Sequence, residues 1–303
     1  MQISFSMYLI TSIEDIGSFT KIMSSLSVGM QVIAKMSILY FKYNELNAII
    51  KTIRYEFWPS TTMGKFIKKQ IRSKLTFVLI GCIAIYVFGM LFLLQIVTAP
   101  LMKGIRILPH NSWYPFDWSQ SPTYEILYVL QSFLIVYVTQ NIVVGCDFLY
   151  YSICFNCTVQ FNLLCETIKE VGNGREIELL NYLLRIPGTT YKPAVDEVDA
   201  NERKLLVICI QHHQKLLNIC LQLNKLFNYG HLYQFIASVT GLCASCYLIT
   251  NENSTNGRSL VASYFLAHVS QLFQYCAVSN EVTHASLELS TAAFQCGWYK
   301  KEY

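Results

Sequence analysis

LTFVLIGCIAIYVFGMLFLLQIVT, residues 75–98, carries no charged side chain. A helix rises about 1.5 Å per residue, so about 20 residues cross the roughly 30 Å hydrocarbon core of a bilayer. This stretch is long enough to span, and its flanks give it a direction. KKQIRSK at residues 68–74 precedes it, with Lys51, Arg54 and Lys65 further upstream. Pro100 and a loop rich in Trp, Tyr and Pro follow it. Basic residues are retained on the cytoplasmic side, so Lys74 is expected inside and Thr98 outside. Every other segment is oriented from this one.

Composition agrees with a membrane protein. The chain is 53% hydrophobic and 14% charged, against roughly 25% charged in soluble domains. The net charge of +4 comes from basic residues in loops between apolar stretches, which is a topology signal and points to no nucleic-acid partner. Most of the eleven cysteines lie inside apolar segments. Cys154-x-x-Cys157 and Cys243-x-x-Cys246 have the spacing of half a zinc site, with no second pair to complete four ligands. They read as small packing residues, and neither a metal nor a cofactor is expected. The opening MQISFSMYLITSI lacks the basic start and small-residue end of a secretory signal, and it reads as the tail of a helix whose beginning is missing.

Working outward gives five spans, at residues 19–40, 75–98, 126–146, 229–250 and 260–277. The first holds Ser24, Ser25, Ser27 and Gln31, with Lys21 and Lys35 near its ends. A helix this polar faces other helices or a wet cavity; the alternative is an amphipathic surface helix. In the second returning span, Gln131, Gln140 and Asn141 read as helix–helix hydrogen-bonding groups, while Asp147 falls at the inner interface, where its cost is lower. Apolar character continues through Phe161, so that helix projects past the bilayer. In 229–250, Ala237, Gly241 and Ser245 recur every four residues, a spacing that lets backbones approach closely. His268, Gln271 and Gln274 make 260–277 a polar span suited to an interior position.

Between the spans, the outer loop carries LPHNSWYPFDWSQSPTYE. Trp113, Tyr114, Trp118 and Tyr124 suit either an interfacial belt or a lid over an outer pocket. Asn253-Ser254-Thr255 is a glycosylation acceptor on the side already read as outside, so Asn253 is a candidate modified residue. On the inside, Gly172-Asn173-Gly174 is a turn signal. Leu205, Cys209, His212, Leu216, Ile219, Leu223 and Leu226 then recur at alternating steps of four and three, a heptad seam within a helix at 202–228. His212 sits on that seam without a second ligand one turn away, so packing is its expected role.

The last segment, LFQYCAVSNEVTHASLELSTAAFQCGWY, resembles the C-terminal signature of insect odorant receptors. The matching positions are Tyr275-Cys276, Asn280-Glu281, Ser286, Ala293-Phe294 and Trp298, with Ser279 in place of the common glycine. The outer LPxxSWYPFDW loop and the CIQHH run at Cys209–His213 resemble the family as well. The resemblance implies an all-α, multi-span helical membrane protein of inverted topology relative to G-protein-coupled receptors, with a cytoplasmic helical anchor. It implies a single membrane domain over residues 1–303, with the anchor at 202–228 and 278–299. Leu216, Leu223, Ser286, Phe294 and Trp298 are the anchor candidates.

The family further implies a subunit of an odorant-gated cation channel, assembled with a shared co-receptor as a hetero-oligomer, in tetramer form, in the plasma membrane of the olfactory neuron dendrite. Its ligand is a small volatile hydrophobic molecule. Carried over by helix face, the binding candidates are Phe88, Phe92 and Gln95, then Tyr128, Gln131 and Ile135, then Tyr264 and His268. The family's first helix, apart from its tail, and its pore-lining last helix are expected to be missing from these residues, so alternatives are a gustatory receptor of the same superfamily or a non-functional truncated receptor. A G-protein-coupled receptor would need an acid-Arg-aromatic triplet and Asn-Pro-x-x-Tyr, and neither is present. HExxH, GxSxG and P-loop motifs are absent too, so no enzyme is expected.

Overall fold

The computed structural model describes residues 16–59, 65–102, 106–109, 114–172, 174–183, 198–251 and 255–296. Every regular element among them is helical. In chain order these are α1 (Ile16–Phe41), α2 (Tyr43–Glu56), α3 (Lys65–Met102), α4 (Thr123–Phe133), a π-helical segment (Leu134–Thr139), α5 (Gln140–Lys169), α6 (Glu176–Leu183), α7 (Val198–Asn251) and α8 (Thr255–Gln295). Internal contacts divide the chain into two compact units, interleaved in sequence. Unit 1 takes Met1–Phe41, Ile80–Phe148 and Asn228–Gln274, and unit 2 takes Lys42–Leu79, Leu149–Phe227 and Tyr275–Tyr303.

Unit 1 holds the apolar stretches. Three helices among the described residues are long and apolar enough to cross a membrane, within Leu79–Thr98, Thr123–Lys169 and Asn201–Asn251; Leu26–Phe41 is a shorter apolar helix. Only 6% of Leu79–Thr98 is buried, and α3 exposes Ile80, Ile83, Val87, Leu91 and Leu94. So much apolar surface on one helix needs an apolar solvent, which lipid supplies. The opposite pattern appears on α1, where Thr20, Ser27, Gln31 and Lys35 are buried polar residues among the described side chains. A membrane helix turns its polar stripe toward its neighbours, because lipid offers no hydrogen bonds.

Two boundaries differ from the sequence reading. The stretches 202–228 and 229–250 form one 54-residue helix, α7, and 260–277 continues without a break into α8. No proline interrupts either junction, so the change from basic to apolar composition does not end the helix. The extension of α5 beyond the expected span reaches Lys169.

Unit 2 is built on the heptad seam. Leu205, Cys209, His212, Leu216, Ile219, Leu223 and Leu226 are all buried. Leu205, Cys209 and Leu216 share a core with Trp58, Phe161, Leu164, Leu180, Ala285 and Ala292. The Gly172–Gly174 turn closes α5 onto α6. Both glycines have φ of 82°, and Glu176 Oε1 accepts the N–H of Gly172 at 2.7 Å and of Gly174 at 3.2 Å. A side chain at either glycine would strain this left-handed backbone. Of the two Cys-x-x-Cys pairs, Cys154 and Cys157 are buried as packing residues, whereas Cys243 and Cys246 are exposed. The buried face of α7 there belongs to Ala237, Gly241, Ala244, Ser245 and Leu248, which leaves the two thiols outside it.

Candidate functional site

Within unit 1 the candidate ligand residues fall into two clusters. The first surrounds Tyr128 at the start of α4. Tyr128, Gln131 and Ile135 lie on one stripe and are 8%, 2% and 3% exposed. Tyr128 packs with Leu108 and Leu127, against Val97, Tyr114, Trp118 and Tyr124. Its hydroxyl donates to the Val97 carbonyl, and Gln131 Nε2 donates to Tyr114 Oη at 3.0 Å. The outer loop is thus pinned on the stripe. Asp117 stiffens it by accepting the Ser119 N–H at 3.0 Å and the Ser119 hydroxyl at 2.7 Å, bonds that hold its carboxyl below the usual carboxylate range. The π-helical turn at Leu134–Thr139 follows, and such insertions in α-helices are frequent at functional positions because they redirect side chains.

The second cluster centres on Tyr264. Its ring lies 6.0 Å from Phe92 and 4.6 Å, edge-on, from His268, and its hydroxyl is 3.0 Å from Ser27 Oγ. His268 is 4% exposed and fits only because residue 241 is glycine. A methyl group at Gly241 would stand 2.7 Å from His268 Nε2 and 3.0 Å from its Cδ2. Gly241→Ala is therefore expected to cost about 1–3 kcal/mol through overpacking. A lower melting temperature of the purified protein would show it. Gly145→Ala, with nothing within 4 Å, is the neutral control.

Deeper along α1 and α8 lies a charged network. Lys35 Nζ donates to Asp147 Oδ1 at 2.5 Å, and Gln271 Nε2 donates to Asp147 Oδ2 at 2.6 Å. Gln234 Nε2 in turn donates to Gln271 Oε1 at 2.8 Å. Asp147 is not in the low-cost interfacial setting expected for it: the residue is 5% exposed, and Lys35 and Gln271 hold its carboxylate from two other helices. Gln140 Nε2 donates to the Tyr86 carbonyl at 3.1 Å, across to α3, whereas Asn141 bonds back to Tyr137 in its own turn.

Other candidates fall elsewhere. Phe88 is 38% exposed and Gln95 is exposed, so α3 delivers Phe92 alone of its three to Tyr264. In unit 2, Leu216 is fully buried in the core, Leu223 is buried and Ser286 is half-buried. Phe294, 75% exposed, presents its ring outward. Trp298, Trp113 and Asn253 lie outside the described residues.

Sequence reasoning did not find the clamp around Trp58. Gln160 Oε1 accepts the Trp58 N–H at 2.9 Å, and Gln160 Nε2 donates to the Trp58 carbonyl at 2.8 Å. His212 Nε2, at 3.1 Å, donates to the same Gln160 oxygen, while the His212 ring stacks on Trp58 at 4.0 Å. Burial, with smaller contributions from Lys215 and His213, pushes the His212 pKa down to about 3.

Comparison with known proteins gives a consistent answer. The family model described as 7tm Odorant receptor matches residues 15–303. Odorant receptor 10 of Aedes albopictus is 27% identical over 66% of this chain and 48% of its own length. Odorant receptor 85c of Drosophila melanogaster is 21% identical over 89% of this chain and 66% of its own. This chain thus spans about half to two thirds of the length of these relatives. The olfactory receptor OR5 of Machilis hrabei has the same fold, with a TM-score of 0.76 over 95% of this chain and 69% of that one, at 14% identity. The same receptor solved with eugenol aligns equally well, at a TM-score of 0.76. With the family model covering nearly every residue, the chain belongs to the odorant receptor family of insects, a family of receptors rather than enzymes.

Proposed function

We propose that this chain carries the odorant-binding part of a ligand-gated cation channel subunit. The ligand is a small volatile hydrophobic molecule held in unit 1. The channel forms with a co-receptor, as a hetero-oligomer in the plasma membrane of the olfactory neuron dendrite. The observation that carries this reading is the pair of aromatic clusters in unit 1, in which Phe92, Tyr128 and Tyr264 supply apolar area and Gln131 and His268 supply polar groups. A mostly apolar surface with a few placed polar groups suits a small odorant. The loop pinned through Tyr114 to Gln131 supports the lid reading of the outer segment. A relative solved with eugenol supports a ligand of similar size. Phe294 is a subunit contact in this scheme, since a ring 75% exposed in the isolated chain gains burial from a partner.

The test is whole-cell current from the full-length receptor expressed with its co-receptor. Phe92→Ala is expected to weaken odorant potency about tenfold, the worth of a lost aromatic contact of about 1.5 kcal/mol. Unchanged potency at equal surface level would place the ligand elsewhere.

A further inference from the structure

Ser27 and Gln31 lie one turn apart on α1, and Tyr264 and His268 lie one turn apart on α8. Ser27 and Tyr264 are joined by their hydroxyls at 3.0 Å. Further along both helices, Lys35 and Gln271 reach the two oxygens of Asp147. Contacts therefore advance in the same sense on α1 and α8, and the two helices run parallel here. Gln31 and His268 fall in the layer between the hydroxyl pair and the carboxylate.

That layer is unfinished. Gln31 is 2% exposed and His268 is 4% exposed. Yet Gln31 Nε2 and His268 Nδ1 have no hydrogen-bond partner among the described residues. Ser27, Tyr264, Lys35, Asp147 and Gln271, on either side, are all bonded. Buried polar groups in native proteins are nearly always paired, so two free ones in one layer mark a place for a third group.

We propose that Gln31 and His268 form a hydrogen-bonding subsite for the oxygen of an otherwise apolar ligand, an alcohol or a carbonyl compound. The proposal rests on the odorant-receptor reading and narrows it to a ligand class. The Gln31 amide donates. The imidazole Nδ1 donates in one tautomer and accepts in the other. A carbonyl oxygen takes both donors, and a hydroxyl takes one and gives one. The rings of Tyr264 and Phe92 flank the layer and take the hydrocarbon part. A pure hydrocarbon of the same shape leaves both polar groups unpaired, which a site of this kind discriminates against.

Gln31→Leu separates this subsite from ordinary packing, because its two effects have opposite signs. Without ligand, replacing a buried unpaired amide with an apolar side chain of similar size is expected to raise the melting temperature of the purified receptor by a few degrees. A fall would mean that Gln31 is already bonded and would overturn the proposal. The full-length receptor with its co-receptor is then tested on alkanes, primary alcohols and methyl ketones of six to ten carbons. The wild type is expected to respond to the oxygenated members, and both Gln31→Leu and His268→Leu to raise their EC50 roughly tenfold or more. Equal potency of alkanes and alcohols on the wild type overturns the subsite. A loss of potency in Phe92→Ala without selectivity in Gln31→Leu also overturns it and leaves the odorant reading standing. Unchanged potency in both variants removes the odorant site from this cluster altogether.

Discussion

Asp147→Ala is expected to remove most of the folded receptor, and so is Lys35→Met. The double variant Lys35→Met with Asp147→Asn is expected to recover much of it. The two charged groups are 2.5 Å apart, each side chain 7% exposed. Water cannot reach in to solvate whichever charge is left when the other goes. Removing one partner of such a pair costs about 3–5 kcal/mol, a large part of the roughly 5–15 kcal/mol that holds a typical domain folded. Removing both charges is far cheaper, since the desolvation that opposed the pair disappears with its attraction. Asn is the better partner in the double variant because its side-chain oxygen still accepts from Gln271 Nε2, which donates to Asp147 at 2.6 Å. The yield and the melting temperature of detergent-solubilised receptor give the full double-mutant cycle. Single variants close to wild type would mean that the pair is solvated and that α1 is not fixed by it.

This ion pair also shows where a single sequence stops being legible. Lys35 and Asp147 were each visible as charges near the ends of apolar stretches, but 112 positions separate them and no local pattern joins them. The heptad seam on α7 was legible because its signal is local: seven positions at helical spacing, all buried. The small residues Ala237, Gly241 and Ser245 are visible for the same reason: they share one buried face of α7, where Gly241 makes room for the His268 ring. On α3 the local pattern was less informative. Phe88, Phe92 and Gln95 share a stripe, yet a helix so uniformly apolar has no moment to say which side meets protein, and only Phe92 meets Tyr264. The π-helical turn at Leu134–Thr139 left no sequence mark that periodicity could detect. Gln31 and His268 were visible only as polar residues in polar spans; that Gln31 Nε2 and His268 Nδ1 find no hydrogen-bond partner among the described residues is a property of the packed structure.

Acidification is expected to destabilise the receptor in part through one histidine, and Gln160→Leu is expected to unmake the clamp that buries it. His212 keeps a neutral ring in the folded protein because burial drives its pKa down to about 3, whereas in the unfolded chain it titrates near 6.5. Between those values the unfolded chain binds a proton that the folded one refuses, so stability falls as pH drops below about 6.5 and the loss levels off only near the folded pKa. From pH 7.5 to 5.5 the loss from this group is on the order of 1 kcal/mol. His212→Phe keeps a ring for the 4.0 Å stack on Trp58, and Gln160 Oε1 keeps the Trp58 N–H. It should therefore fold while its melting temperature loses this share of the pH slope. Gln160→Leu acts differently. It strands the Trp58 N–H, the Trp58 carbonyl and His212 Nε2 in a buried site, at about 1–3 kcal/mol each. Its melting temperature should be far below wild type at every pH, because the lost bonds do not titrate. An identical pH slope in wild type and His212→Phe would show that the imidazole is open to water, and the stack on Trp58 would then not be what holds the segment after α2 to α7.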